Sequence, residues 1–133
     1  MNIDTGYIYS FANASLTLRT IEYLRQQSKI PLDSVAVINL IDRWLVQIKL
    51  KHSIPLSLAQ DFRAFLNEIG IPDNPSSRVR MALQKLEAGA SATEVMNRYQ
   101  VVIVAHGKPE KEEIEVFRRA IVERLGYCPQ NMA

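Results

Sequence analysis

Residues Leu32–Lys51 (LDSVAVINLIDRWLVQIKLK) carry apolar side chains on two sides at once, and any fold for this chain has to cover both. On a helical period, Val37, Ile38, Ile41, Trp44, Leu45 and Ile48 share one broad face, while Val35, Val46 and Leu50 form a narrower stripe opposite. A surface helix shows one apolar stripe, whereas a helix apolar on two sides lies inside a bundle or an interface. The spacing therefore predicts a central helix near residues 33–51. Asp33 or Ser34 is its expected N-cap, and Lys51 sits at the negative end of its dipole.

Five further helices are expected around it, giving an all-α bundle of about six. The first runs over Ala14–Ser28 and stops before Pro31, because the residue preceding a proline is driven out of the helical region. Ser57 is the expected cap of the next, Leu58–Ile69, whose Leu58, Phe62, Phe65, Leu66 and Ile69 make the cleanest apolar stripe, with Gly70 as a left-handed stop. A fourth helix opens at Ser76 or Ser77 and ends at Gly89. Ser91 with Glu94 has the spacing of a capping box and opens a fifth over Ala92–His106. The β-branched run at 101–105 leaves a short strand over 99–105 as the alternative, and only Tyr7–Phe11 offers such a strand a partner. Pro109 opens a last helix. Its early glutamates and later arginines match the helix dipole, and Ile114, Phe117, Ile121, Val122 and Leu125 supply its buried face. Residues 1–13 read as a partly ordered lead-in, 14–126 as a single helical domain and 127–133 as a tail.

Composition narrows the class of protein more than its chemistry. A chain of 133 residues, 47% apolar and 23% charged, has the size and make-up of one folded domain. The net charge is +2, with basic and acidic residues interleaved, so no segment behaves as a basic arm. The single cysteine, Cys128, forbids an intramolecular disulfide and fits a reducing compartment. No apolar run is long enough to span a bilayer, and no signal-peptide pattern follows Met1, so a cytoplasmic protein is expected.

Chemistry-bearing constellations are scarce. His52, His106 and Cys128 are isolated from one another, whereas a zinc site needs three or four ligands held close. Cys128 follows the C-terminal end of a helix, where the dipole disfavours a thiolate. The five glycines are scattered, with no phosphate-binding loop. The acidic cluster Glu110–Glu115 reads as the dipole-matched first turn of a helix. No metal or cofactor is expected, and no enzymatic activity.

One stretch has a recognisable shape. Val79–Val101 (VRMALQKLEAGASATEVMNRYQV) resembles the first two helices of helix-turn-helix DNA-binding domains. The resemblance rests on a Gly-containing turn followed by Ser91, Glu94, Val95, Arg98, Tyr99 and Val101. Arg78, Arg80, Lys85 and Arg98 are the basic side chains of these two helices, able to hold phosphates without reading sequence if they line one face. The next residues, VIVAHGKP, are apolar where that family places a polar recognition helix, so a core-packed helical hairpin is the favoured reading.

The sequence thus points to a non-enzymatic protein-binding or regulatory module that also self-associates, with a nucleic-acid-binding regulator as the alternative. Val116, Met81 and Met96 fall off their helices' main faces and add to an apolar surplus. Trp44, Val46, Leu50 and Arg118 are the interface candidates. Arg118 lies within an apolar stripe, where it either snorkels, pairs with a carboxylate of another helix, or anchors an interface.

Overall fold

The stretch expected to be the central helix is a β-hairpin. Strands β2 (Leu32–Asn39) and β3 (Trp44–Leu50) pair antiparallel, with Asn39 opposite Trp44 as the last pair before the turn. The same two-sided pattern explains both the expectation and its failure. Successive strand residues point to opposite faces. Val35, Val37, Trp44, Val46, Ile48 and Leu50 therefore line one side of the hairpin and Ala36, Ile38 and Leu45 the other. A strand covered on both faces is apolar on both, which a helical projection also reports as two stripes. The β-branched residues Val35, Val37, Ile38, Val46 and Ile48 decide between the two forms.

The computed structural model describes residues 5–107 and 113–125. The expected helix start at Pro109, the acidic residues Glu110 and Glu112, Cys128 and the tail lie outside them. In place of an all-α bundle there is a five-stranded antiparallel sheet, ordered β4-β1-β3-β2-β5, with helices on both faces. Gly6–Phe11, read from sequence as a lead-in, is the interior strand β1, pairing with β3 from Gly6↔Lys49 to Phe11↔Trp44. Helix α1 (Ala14–Gln26) crosses from β1 to β2, which run parallel on either side of β3. Helix α2 (Leu56–Ile69) returns the chain to the two-residue strand β4 (Ile71–Pro72) against β1. This β-α-β-β-α-β path, with strand order β4-β1-β3-β2, is the ferredoxin-like arrangement.

A second unit is added to that core. Helices α3 (Ser77–Glu87) and α4 (Ala92–Tyr99) cover the face left open by α1 and α2. Strand β5 (Val102–Gly107) then pairs with β2, and α5 (Glu113–Leu125) packs beside α1. The sequence expectation of a helix to His106 fails at Gln100. Gln100 adopts a left-handed conformation (φ 57°), ending α4 after the capping box of Ser91 and Glu94 has opened it. Strand β5 finds its partner in β2, not in Tyr7–Phe11, and a bulge at Val104 lets Ile103 and Ala105 face opposite clusters.

Aromatic packing marks the first face. Phe62 is fully buried edge-on to Tyr7, with ring centroids 4.8 Å apart, and Tyr23 stacks on Phe65 at 3.9 Å. Two caps differ from expectation. Helix α2 begins after Pro55 without a side-chain cap, and Gly70 is extended (φ −151°) instead of left-handed.

The second face changes character along its strands. One cross-strand row, Ser10, Leu45, Ile38 and Ile103, is buried beneath the helix pair. The next is mixed: Ile8, Gln47, Ala36 and His106. The last, Gly6, Lys49 and Ser34, is small or polar throughout. The hairpin end of this face is therefore apolar and the opposite end polar.

Candidate functional site

The turn of the β2–β3 hairpin carries the most exposed large apolar side chain in the described structure. Ile41 sits beside Asp42 at the tip with a relative exposure of 108%, so it gains nothing from the fold. Tight hairpin turns favour Asn, Asp and Gly because these tolerate the turn's backbone, and a β-branched side chain at the tip has no such reason to be there. Ile71 (65% exposed) and Val102 (40%) lie at the same end of the sheet.

Two cavities flank this tip. One, of about 570 Å³, lies between the hairpin, α3 and the start of β5, and its apolar lining comes from Leu40, Ile41, Val79, Val101 and Val102. The other, of about 420 Å³, lies on the β1 side and is lined by Phe11, Arg43, Ile69, Gly70 and Ile71. The ridge between them is held by charge. Arg43 donates from Nε to Asp73 at 2.8 Å and from Nη1 to Asp42 at 2.8 Å. The hydrogen bond that Asp73 accepts raises the pKa of Arg43 above its ordinary value, with Asp42 adding to the effect, so the guanidinium stays charged.

Three of the four sequence-derived interface candidates are core residues. Trp44, Val46 and Leu50 are buried on the first face of β3 under the α1, α2 and α5 layer and have no surface to offer a partner. Their apolar surplus is used by the sheet. Arg118 does pair with a carboxylate of another helix, Glu22 of α1 at 3.3 Å, and reaches Glu115 at 3.9 Å. Met81 and Val116 are exposed, while Met96 is packed against the second cluster.

The four cations of the nucleic-acid alternative do not form one surface. At 100° per residue, Arg78 and Lys85 fall on one flank of α3, and Arg80 on the other flank with Glu87. Arg78 is committed to structure, donating from Nη1 to the carbonyls of Tyr99 (2.9 Å) and Gln100 (2.7 Å) at the end of α4. Arg80 bonds Asn74, and Arg98 lies over the Tyr99 ring at 5.7 Å. Helices α3 and α4 do form the hairpin seen in sequence, but strand β5 stands where a recognition helix would follow.

Among the described residues no group of three or more His, Cys, Asp or Glu side chains could hold a metal ion. None of the described helices is long and apolar enough to cross a membrane. Sequence reasoning missed Ile41 as a surface residue because a helical period placed it on the apolar face. Its signal was the charged pair Asp42–Arg43 breaking two apolar runs. Compared with known proteins, the chain matches no family and no curated sequence.

Proposed function

We propose that this chain is a non-enzymatic protein-binding module that self-associates through its hairpin end, in a cytoplasmic setting of the kind a lone cysteine favours. The exposure of Ile41 beside an apolar-lined cavity carries the reading. Knob and hole on one surface make a self-complementary patch, which is what a two-fold dimer requires. Ile41 of each copy enters the cavity beside Leu40 and Val102 of the other. Asp42, whose side chain is 71% exposed, then approaches the other copy's Arg78, adding charge complementarity at the rim.

Sedimentation velocity from low to high micromolar concentration tests this. The wild-type chain moves from monomer to dimer across the series. Ile41→Asp stays monomeric with an unchanged far-UV circular dichroism spectrum, since the side chain contributes nothing to the folded monomer. A wild-type chain that remains monomeric throughout overturns the proposal, as does an Ile41→Asp variant that dimerises equally well.

A further inference from the structure

The polar end of the second sheet face lies at the other end of the strands from the hairpin, and its reading is independent of self-association. Five residues of strand, roughly 17 Å, separate the two ends. Two cavities meet there. One, of about 340 Å³, lies over β1 and β3 beneath α3, with Gln47, Arg80 and Gln84 beside the apolar Ile8 of β1 and Leu83 of α3. The other, of about 380 Å³, lies past the end of α3 over β2 and β5, lined by Asp33, Ser34 and His106. Lys49 and Glu87 line both. Together they form one trough of a volume usual for small-ligand sites.

A sheet face under a helix is normally apolar, yet Gln47 and Lys49 point into the trough from β3. Gly6 and Ser34 flank Lys49 in register and fill little space, and the Lys49 side chain lies across Gly6, about 4 Å from where a Cβ would stand. A bulge at Asp33 delivers two consecutive residues, Asp33 and Ser34, to the same cavity. The trough is also charge-polarised. Arg80 and two side-chain amides stand in the first cavity and Asp33 in the second, while Lys49 and Glu87 border both.

Lys49 and Glu87 meet where the halves join, with Nζ and Oε1 3.6 Å apart and both side chains about a third exposed (37% and 35%). That separation is too long for a good hydrogen bond and leaves both charges under-used. In a free α-amino acid the ammonium nitrogen and a carboxylate oxygen are roughly 3 Å apart, from standard bond lengths. Laid head-to-tail on the ion pair, such a molecule puts its carboxylate on Lys49 and its ammonium on Glu87. A simple anion on Lys49 would also face the Glu87 carboxylate beside it.

We infer that this trough binds a free α-amino acid with a short polar side chain, its zwitterion matched to Lys49 and Glu87 and its side chain directed to Gln47, Gln84 and Arg80. Glutamine and glutamate have the required reach and hydrogen-bonding ends.

Titrating the full chain with L-glutamine and L-glutamate by calorimetry, with amide chemical shifts read by NMR, tests the assignment. Saturable shifts are expected at Ser34, Gln47, Lys49 and Gln84. N-acetyl-L-glutamine, which lacks the ammonium, binds at least about tenfold more weakly, as loss of a charge-assisted hydrogen bond requires. Lys49→Met and Glu87→Gln each weaken binding by a similar factor without altering the fold, because an ion pair about a third exposed and 3.6 Å apart adds little stability. Gln84→Leu weakens glutamine while leaving L-alanine unchanged. Absence of saturable binding by either amino acid overturns the inference. So does equal binding of the acetylated compound, or Lys49→Met and Glu87→Gln variants that bind as tightly as wild type.

Discussion

Arg43 reaches Asp73 from two nitrogens, Nε at 2.8 Å and Nη2 at 3.4 Å, and the Asp73 side chain is only 9% exposed. Bidentate carboxylate–guanidinium geometry of this kind ties the turn of the hairpin to the segment between β4 and α3. Asp73→Asn keeps the shape and removes the charge, so we expect a loss of about 1–2 kcal/mol, read as a lower urea midpoint. An unchanged midpoint would show that the pair is ornamental. His106 presents the reverse electrostatics. Burial lowers its pKa from the ordinary 6.5, and the nearby Glu87 carboxylate offsets this only in part. Asp33 and Lys49 line the same cavity. The unfolded chain therefore binds the imidazole proton more readily than the folded one, so protonation favours unfolding. Stability on this account is intact above about pH 6.5 and falls as the pH drops through that value towards the lower folded pKa. His106→Gln should lose less stability than wild type between pH 7.5 and pH 5. A parallel decline in both proteins would remove His106 as the cause.

Gly70 joins α2 to β4 with an ordinary extended backbone, so its glycine is required by space and not by φ. A Cβ there would lie 2.5 Å from Cε1 of Phe11 and 2.6 Å from the carbonyl oxygen of Ser10. Phe11 is fully buried and the Ser10 carbonyl belongs to β1, so neither can step aside cheaply. Gly70→Ala should cost about 2–3 kcal/mol, measured by chemical denaturation, as overpacking of a core does. A cost below 1 kcal/mol would mean that β4 can detach. Gly70 also shows which elements were legible in the sequence. Helices with a single stripe and a cap, such as α1 and α3, followed their periodicity, since only one face of each is buried, whereas α4 opened at its capping box but ended at Tyr99, short of the expected His106. The strands did not, because β1, β2 and β3 are buried on both faces and lose the alternation that marks a half-exposed strand. β5 was legible only as the alternative strand over 99–105, because its bulge at Val104 breaks a period of two. The interface candidates fell with the strands: Trp44, Val46 and Leu50 were surplus only to a helix. Lys49 could not be singled out from sequence, because a trough exists only once register is known, while the tip at Ile41 was marked only by the adjacent Asp42–Arg43.

The central sheet serves two cores at once, and that arrangement decides how the molecule unfolds. Val35 and Val37 of β2 belong to the first cluster and Ala36 and Ile38 to the second, so loss of either helix layer exposes the back of the same strand. The second layer is nevertheless an addition to a β-α-β-β-α-β core that is complete in its strand order, and such additions can unfold on their own. Two features favour a single transition. Strand β5 belongs to the later part of the chain yet hydrogen-bonds to β2, and α5 packs on α1 through Phe117 and Ile121 together with the Arg118–Glu22 pair. The added unit is thereby interleaved with the first on both faces. Trp44, the single tryptophan, is buried on the first face and reports that core alone. Leu83 is buried on the second face, separated from Trp44 by the sheet. Leu83→Ala should lower stability by about 2–4 kcal/mol, through lost burial and the cavity left behind. If unfolding is cooperative, the Trp44 fluorescence midpoint moves by the same amount as the circular dichroism midpoint, although the lesion lies on the opposite face. Phe62→Ala, on the Trp44 side, should shift both probes together as well. A Leu83→Ala chain that loses helical signal while its fluorescence transition stays put would instead mean that α3, α4 and β5 come away as a separate unit.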